Sequence, residues 1–260
     1  MTDWVLASLP PTTLIALAAF AALMGGFVRG YSGFGFALAA MPILTLLLRP
    51  AAAVPAILLL EFAIGAATIP ERRRDIVRPV LRYLVLGTLL GTPLGLTVLA
   101  YAPVEVMRLA VGAVVVIAVF VLWQRPVAVA NVTGLAPLAG AGFVSGLLNG
   151  GTAMSGPPVI IALLGSGLPT QATRATIMAF VAVSAALGIA LAVASGLYSS
   201  ETLFTTLVMA PCAAVGASVG SAMFAGTPDV HYRQASLAIL LTVACVAIGG
   251  ACWSLSRSLS

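Results

Sequence analysis

Three charged residues interrupt apolar runs of the sequence: Arg29 in "GGFVRGYSGFGF", Glu61 in "AILLLEFAIG" and Arg174 in "TQATRATIMAF". A guanidinium stays charged and presents a planar fork of donors that matches carboxylate or sulfonate oxygens. Arg29 and Arg174 therefore predict an anion site. Each has an alternative: Arg29 could extend to an aqueous interface beside Tyr31, and Arg174 could be a positive charge at a helix end.

Glu61 lies about ten residues from the nearest charged loop, too far for its side chain to reach water easily. Two roles remain open for it. It could exchange a proton and so couple transport to a gradient, or it could pair with Arg29 or Arg174 and hold a cationic site together before the anion arrives.

Two stretches rich in helix breakers, "YSGFG" and "NGGTAMSGPP", supply uncharged groups for the same site. Backbone N–H groups at a restarting helix attract anions, and glycine lets that backbone approach a ligand. The side chains with oxygen or amide groups could bind sulfonate or carboxylate oxygens, or could simply cap the broken helices. The candidate binding residues of these stretches are Ser32, Gly33, Gly35, Asn149, Gly150, Gly151, Thr152 and Ser155.

The composition indicates a protein whose solvent is a lipid bilayer. Apolar residues make up 61% of the 260 residues, charged residues only 7%, and the mean hydropathy is +1.15; soluble domains carry about 25% charged residues. Backbone groups in hydrocarbon must be satisfied within their own segment, so the expected fold class is all-α and polytopic. The +5 net charge comes from scattered arginines, which predicts membrane topology rather than nucleic-acid binding.

The chain lacks the signatures of common catalytic or metal sites. It has no H-E-x-x-H and no lysine, which excludes a P-loop ATPase. Three cysteines, Cys212, Cys245 and Cys252, lie in apolar runs without metal-ligand spacing, and the single histidine, His231, lies in a polar loop. We expect no enzyme activity, no cofactor and no metal.

Ten apolar segments follow one another, two of them short for a bilayer that needs about 20 residues. They cover approximately Thr12–Val28, Phe36–Leu48, Ala51–Ile69, Tyr83–Ala100, Val106–Trp123, Asn131–Leu148, Thr152–Leu164, Gln171–Ala194, Thr202–Phe224 and Gln234–Trp253. Residues 71–82 hold five arginines, which places that loop in the cytoplasm. Alternation then puts both termini outside, also if each short segment and its partner form a re-entrant hairpin. If each such pair is one broken helix, the parity changes and Arg233 falls outside. The N-terminus lacks a basic signal-peptide region and is expected to be retained.

A repeat divides the chain. After a shift of 116 residues, Gly26, Phe27, Val28, Gly30, Gly35, Ala37 and Pro42 meet Gly142, Phe143, Val144, Gly146, Gly151, Ala153 and Pro158. This predicts one integral membrane domain made of two halves, residues 1–124 and 125–260. Five segments in each half would make the halves inverted repeats, an arrangement typical of secondary transporters that bind substrate at broken helices, re-entrant or crossing. Five other glycines, Gly87, Gly91, Gly95, Gly216 and Gly220, indicate close helix packing.

The motifs "GFVRGYSGFGFALAAMPIL" and "GLLNGGTAMSGPPVIIALL…RATIMAF" resemble the two halves of the TauE/SafE family, the sulfite exporter-like membrane proteins. The resemblance covers nearly the whole chain. It implies a transporter of the bacterial cytoplasmic membrane for small sulfur-containing anions such as sulfite, sulfoacetate and other sulfonates.

The expected function is therefore secondary transport of a small sulfur-containing anion, coupled to a proton or other ion gradient. The two halves would rock around Arg29, Arg174 and the breaks. The alternatives are a permease for a carboxylate or amino acid, a membrane-embedded enzyme, for which Glu61 is the single deep acid, and a non-transporting subunit. Expected partners are the anion, the bilayer, a coupling ion and a second copy of the chain.

Overall fold

In the computed structural model, residues 11–123, 134–164 and 166–225 are described. Within these ranges the regular structure is entirely helical. The helices are α1 (Pro11–Ser32), α2 (Phe36–Leu47), α3 (Pro50–Arg72), α4 (Arg78–Tyr101), α5 (Val104–Trp123), α6 (Leu135–Thr152), α7 (Gly156–Leu164), α8 (Thr170–Ala194) and α9 (Ser200–Ala225). These nine match nine of the ten segments expected from the sequence. The tenth, Gln234–Trp253, lies outside the described residues.

Five of the described helices are long and apolar enough to cross a bilayer, namely α1, α3, α4, α8 and α9. Their outward faces are also apolar: Leu90 on α4 and Leu207 on α9 are among the large hydrophobic side chains that remain exposed. An apolar outer surface is unfavourable in water and suits contact with lipid. The fold is therefore that of a polytopic membrane protein.

Helices α2 and α7 are too short to cross alone. Their 12 and 9 residues correspond to lengths of about 18 and 14 Å, against a hydrocarbon core of about 30 Å. A Cβ placed on Gly25 of α1 would lie 2.9 Å from the carbonyl oxygen of Phe36 and 3.2 Å from Cβ of Ala40. Since both residues belong to α2, this helix folds back along α1.

Two helix pairs are packed so closely that backbone meets backbone. A Cβ added to Gly26 or Gly30 of α1 would lie 2.2 or 2.1 Å from a carbonyl oxygen of α9, and one added to Gly216 or Gly220 of α9 would meet α1 at 2.2 Å. Helices α4 and α6 interlock in the same way through glycines of both helices. The prediction that Gly87, Gly91, Gly95, Gly216 and Gly220 pack helices closely is confirmed, because a larger residue at any of them would force the axes apart.

The residue numbers in these contacts give the helix directions. Gly87, Gly91 and Gly95 of α4 face rising positions on α6, the carbonyl oxygens of Ala139, Phe143 and Leu147, so α4 and α6 run parallel. In contrast, α3 and α8 run antiparallel, since Gly65 faces Ala182 whereas Leu58 faces Gly188. The α3–α8 pair occupies the centre of the molecule, where both helices are largely buried.

Candidate functional site

All seven polar side chains proposed for the site from the sequence are buried, none of them more than 3% exposed: Arg29, Ser32, Glu61, Asn149, Thr152, Ser155 and Arg174. Burying a charged or polar group costs free energy unless it finds partners. The positions of these groups relative to the helix breaks therefore decide what the site can do.

The first break lies between α1 and α2, at Gly33 to Gly35. Gly33 and Gly35 have φ angles of +85° and +87°, a left-handed conformation that favours glycine. The hydroxyl of Ser32 donates to the carbonyl oxygens of Val28 and Phe34 at 2.7 and 2.6 Å. Ser32 therefore caps the break locally, as one of the sequence interpretations expected.

Arg29 lies inside α1, one turn before this break, so α1 extends beyond the expected end at Val28. Its guanidinium donates to the carbonyl oxygen of Gly33 through Nη1 and, at 3.5 Å, to that of Met178 on α8 through Nη2. The side chain is buried rather than extended to an aqueous interface. It joins the break to α8.

Arg174 reaches the same break from α8. Its Nη2 donates to the carbonyl oxygen of Gly30, and a Cβ on Gly33 would lie 2.9 Å from its Cγ. Its guanidinium also lies over the ring of Phe224 at the end of α9, with Cζ 3.8 Å from the ring centroid. Sequence reasoning did not single out Phe224, since one apolar residue in an apolar segment gives no signal.

The second break differs from the expected one. Helix α6 continues through Asn149, Gly150, Gly151 and Thr152, and the break falls at Ala153 to Ser155. A Cβ on Gly150 would lie 2.3 Å from the carbonyl oxygen of Thr92 on α4, so Gly150 serves helix packing. The hydroxyl of Thr152 donates to the carbonyl oxygen of Leu148 at 2.8 Å, a local capping role.

Two polar atoms near the second break are buried without a hydrogen-bond partner among the described residues, Oδ1 of Asn149 and Oγ of Ser155. The amide of Asn149 is held in place, because its Nδ2 donates to the carbonyl oxygen of Ser184 at 2.8 Å. The repeat aligns Ser145 with Arg29, and Oγ of Ser145 is also buried without a hydrogen-bond partner among the described residues. Unsatisfied buried polar atoms are rare and call for an explanation, such as a ligand.

The two breaks meet. A Cβ on Gly156, the first residue of α7, would lie 3.1 Å from Cδ2 of Phe34 in the first break. Arg29, Ser32, Gly33, Gly35 and Arg174 surround the first break, whereas Asn149 and Thr152 lie in the last turn of α6, directly before the second break at Ala153 to Ser155. On α3, Leu58 lies at the level of Asn149 and Gly65 lies at the level of Arg29. These two positions on α3 are about 10 Å apart at 1.5 Å per residue.

Glu61 lies between these two levels on α3. The backbone N–H of Ala37 in α2 donates to its carboxyl group, and its charge interacts with that of Arg29. Its Oε2 has no hydrogen-bond partner within the described part of the chain. The arrangement of two buried guanidiniums, one buried carboxyl and two helix breaks is suited to binding a small anion in a membrane.

The family model for sulfite exporter TauE/SafE matches residues 17–247. The chain belongs to the TauE/SafE family. This confirms the resemblance noted in the sequence and, with the apolar helices, makes the chain a multi-pass membrane protein of a transporter family. No curated protein and no solved structure matches the chain.

Proposed function

We propose that this TauE/SafE protein is a secondary transporter that moves a small anion through a site where the two helix breaks meet. The observation that carries the proposal is the convergence of Arg29 and Arg174, both buried, on the carbonyl groups of one broken helix. Charges within membrane helices are costly and usually line a substrate pathway. The family description, sulfite exporter, supports a sulfur-containing cargo, and we propose sulfite, sulfoacetate or another organosulfonate.

Binding would use groups from both halves. Arg29 and Arg174 supply positive charge, and the glycine at position 33 lets the backbone of the first break approach the side chain of Arg174 closely. On the other side of the contact between Phe34 and Gly156, Asn149 and Ser155 supply polar atoms that lack partners among the described residues. The hydroxyl of Ser155 can donate to a sulfonate or sulfite oxygen, and so can the second N–H of Asn149 Nδ2, whose first N–H donates to Ser184, whereas Oδ1 of Asn149 is an acceptor.

The packing supports the proposal of inverted halves. The repeat matches α1 with α6, and α1 pairs with α9 just as α6 pairs with α4. Each pair thus joins the first helix of one half to the fourth helix of the other. Helices α3 and α8, the third segment of each half, run antiparallel, as inversion requires.

The same pairs bear on how the protein would move. Close glycine contacts hold α1 against α9 and α4 against α6. Each of these pairs contains one helix from each half of the repeat. In an alternating-access cycle these mixed pairs would rock as units about the α3–α8 centre, rather than one repeat against the other. We further propose a bacterial cytoplasmic membrane location, with residues 71–82 in the cytoplasm and both termini outside.

Flux of labelled sulfite, sulfoacetate and taurine into proteoliposomes tests the proposal, with acetate and glycine as non-sulfur competitors. We expect saturable flux of at least one sulfur-containing anion, and weaker competition by carboxylate or amino acid. Preferred transport of acetate or glycine would favour the alternative permease. Absence of flux for every solute would favour a non-transporting subunit.

A further inference from the structure

The first turn of α2 points at a carboxyl group of the protein itself. Ala37, the second residue of α2, donates its backbone N–H to Glu61. A helix N-terminus carries partial positive charge and unpaired N–H groups, which makes it a natural position for an anion. In this structure the side chain of Glu61 occupies that position.

The contact is incomplete on both sides. Oε2 of Glu61 and Nε of Arg29 are both buried, and neither has a hydrogen-bond partner among the described residues. The two side chains interact electrostatically, and Nη2 of Arg29 lies 3.7 Å from the Cβ position of Gly65, one turn beyond Glu61 on α3. Buried donors and acceptors that both lack partners are rare in folded proteins and call for a functional explanation.

We propose that Glu61 is a tethered anion that competes with the transported anion for the N-terminus of α2 and for Arg29. This inference rests on the proposed function. Two neighbouring negative charges repel strongly in a medium of low dielectric constant. An anion therefore enters as the carboxylate of Glu61 takes up one proton and releases the N–H of Ala37 and the charge of Arg29. When the anion leaves, Glu61 loses that proton to water and returns.

Among the described residues, few charged groups other than Glu61 lie on the helices around it and could perform this exchange. Helices α2 and α6, which pack against α3, contain no charged residue, and Arg174 is the single charged residue of α8. The charged residues of α4, α5 and α9 lie in the first two turns of those helices: Arg78, Arg82, Glu105, Arg108 and Glu201. With Glu61 performing the exchange, one anion and one proton would cross the membrane in the same direction.

The wild-type protein provides the first test, with sulfoacetate as the probe because its sulfonate stays ionised and its carboxylate does not titrate between about pH 5.5 and 8. Sulfoacetate binding in weakly buffered detergent should take up close to one proton, read by a pH indicator. The affinity of the protein for sulfoacetate should fall by up to about tenfold per pH unit once the pH is high enough for Glu61 to be ionised in the free protein.

The variant Glu61→Gln provides the second test, since its amide cannot lose a proton. We expect sulfoacetate affinity that no longer changes with pH, no proton uptake, retained sulfoacetate counterflow and loss of accumulation driven by a pH gradient. The matched control is Glu71→Gln, which neutralises an exposed carboxylate near the end of the same helix and should behave as wild type.

The outcomes separate the two proposals. Proton uptake by Glu61→Gln equal to that of wild type overturns the inference. So does wild-type sulfoacetate flux without linked proton uptake, which leaves the proposed function intact. Absence of flux of any anion in both wild type and Glu71→Gln overturns the proposed function itself. If Glu61→Gln fails to elute as a folded protein in gel filtration, the wild-type proton count decides.

Discussion

The guanidinium of Arg174 lies over the ring of Phe224, with Cζ 3.8 Å from the ring centroid. The same ring meets Tyr31 edge to face, with centroids 6.3 Å apart, and has Arg72 at 5.8 Å. Phe224 thus connects the candidate site to the arginine-rich end of α3. Stacking on an aromatic face fixes the direction of a guanidinium that could otherwise adopt many rotamers.

Replacing Phe224 should therefore weaken anion binding although the ring carries no charge. A cation–π contact contributes about 0.5–2 kcal/mol, so Phe224→Leu should lower sulfoacetate affinity by about 2- to 30-fold. Phe204→Leu on the lipid-facing side of α9, where the ring is exposed, is the control and should not change affinity. Isothermal titration with sulfoacetate measures the affinity of both variants. Equal affinities of Phe224→Leu and Phe204→Leu would contradict the prediction.

Arg29→Ala should cause a larger loss. Hydrogen bonds to charged groups contribute about 1.5–3 kcal/mol, which corresponds to about 10- to 150-fold in affinity. Arg29→Lys should recover part of the loss, because the charge returns but the planar fork does not.

The control for Arg29 is Arg74→Ala, which removes an exposed arginine from the loop after α3. Proteoliposome flux at several sulfoacetate concentrations compares the variants. Normal flux in Arg29→Ala would remove this residue from the site.

Replacement by alanine should have opposite effects on stability at a glycine of the α4–α6 interlock and at a glycine outside it. A Cβ at Gly91 would lie 2.1 Å from the carbonyl oxygen of Phe143, so Gly91→Ala must separate the helices, at a cost of about 1–3 kcal/mol. A Cβ at Gly112 in α5 meets no atom within 4 Å, so Gly112→Ala should stabilise the helix by about 0.5–1 kcal/mol. Thermal unfolding in detergent measures the stability of both variants. A Gly91→Ala variant as stable as wild type would contradict the close packing of α4 and α6.

Asn149→Ala should separate function from stability. The substitution removes one hydrogen bond, from Nδ2 to Ser184, which contributes about 1 kcal/mol, so the melting temperature should fall by only a few degrees. Anion flux should fall by about tenfold if the side chain contacts the substrate. Ser218→Ala, which alters an exposed hydroxyl on α9, should leave flux unchanged. A normal rate for Asn149→Ala would limit Asn149 to a structural role.

The sequence was sufficient to identify the deep charges and both breaks. Arg29, Glu61 and Arg174 stand out because a charge in an apolar run is costly, so few appear there without a reason. The glycine and proline clusters located the breaks to within a few residues. At the second break the prediction began too early, because glycines that pack against α4, such as Gly150, are tolerated inside α6.

The partners of these groups could not be obtained in this way. A stripe of glycines indicates a close neighbour but does not say which helix supplies it, so the pairing of α1 with α9 was not foreseen. Phe224 and the N–H of Ala37 also escaped notice, since an apolar ring and a backbone donor leave no mark in the sequence. Such contacts depend on the three-dimensional arrangement of distant segments.

The glycine contacts between α1 and α9 also bear on how the chain is made. Gly26 and Gly30 find their backbone partners at residues 213 and 217, which leave the ribosome roughly 10 to 40 s later at ordinary elongation rates. During that interval the face of α1 that carries Gly26 and Gly30 can contact lipid or the insertion machinery, but not α9. Helix α1 is therefore made well before the helix that completes its place in the fold.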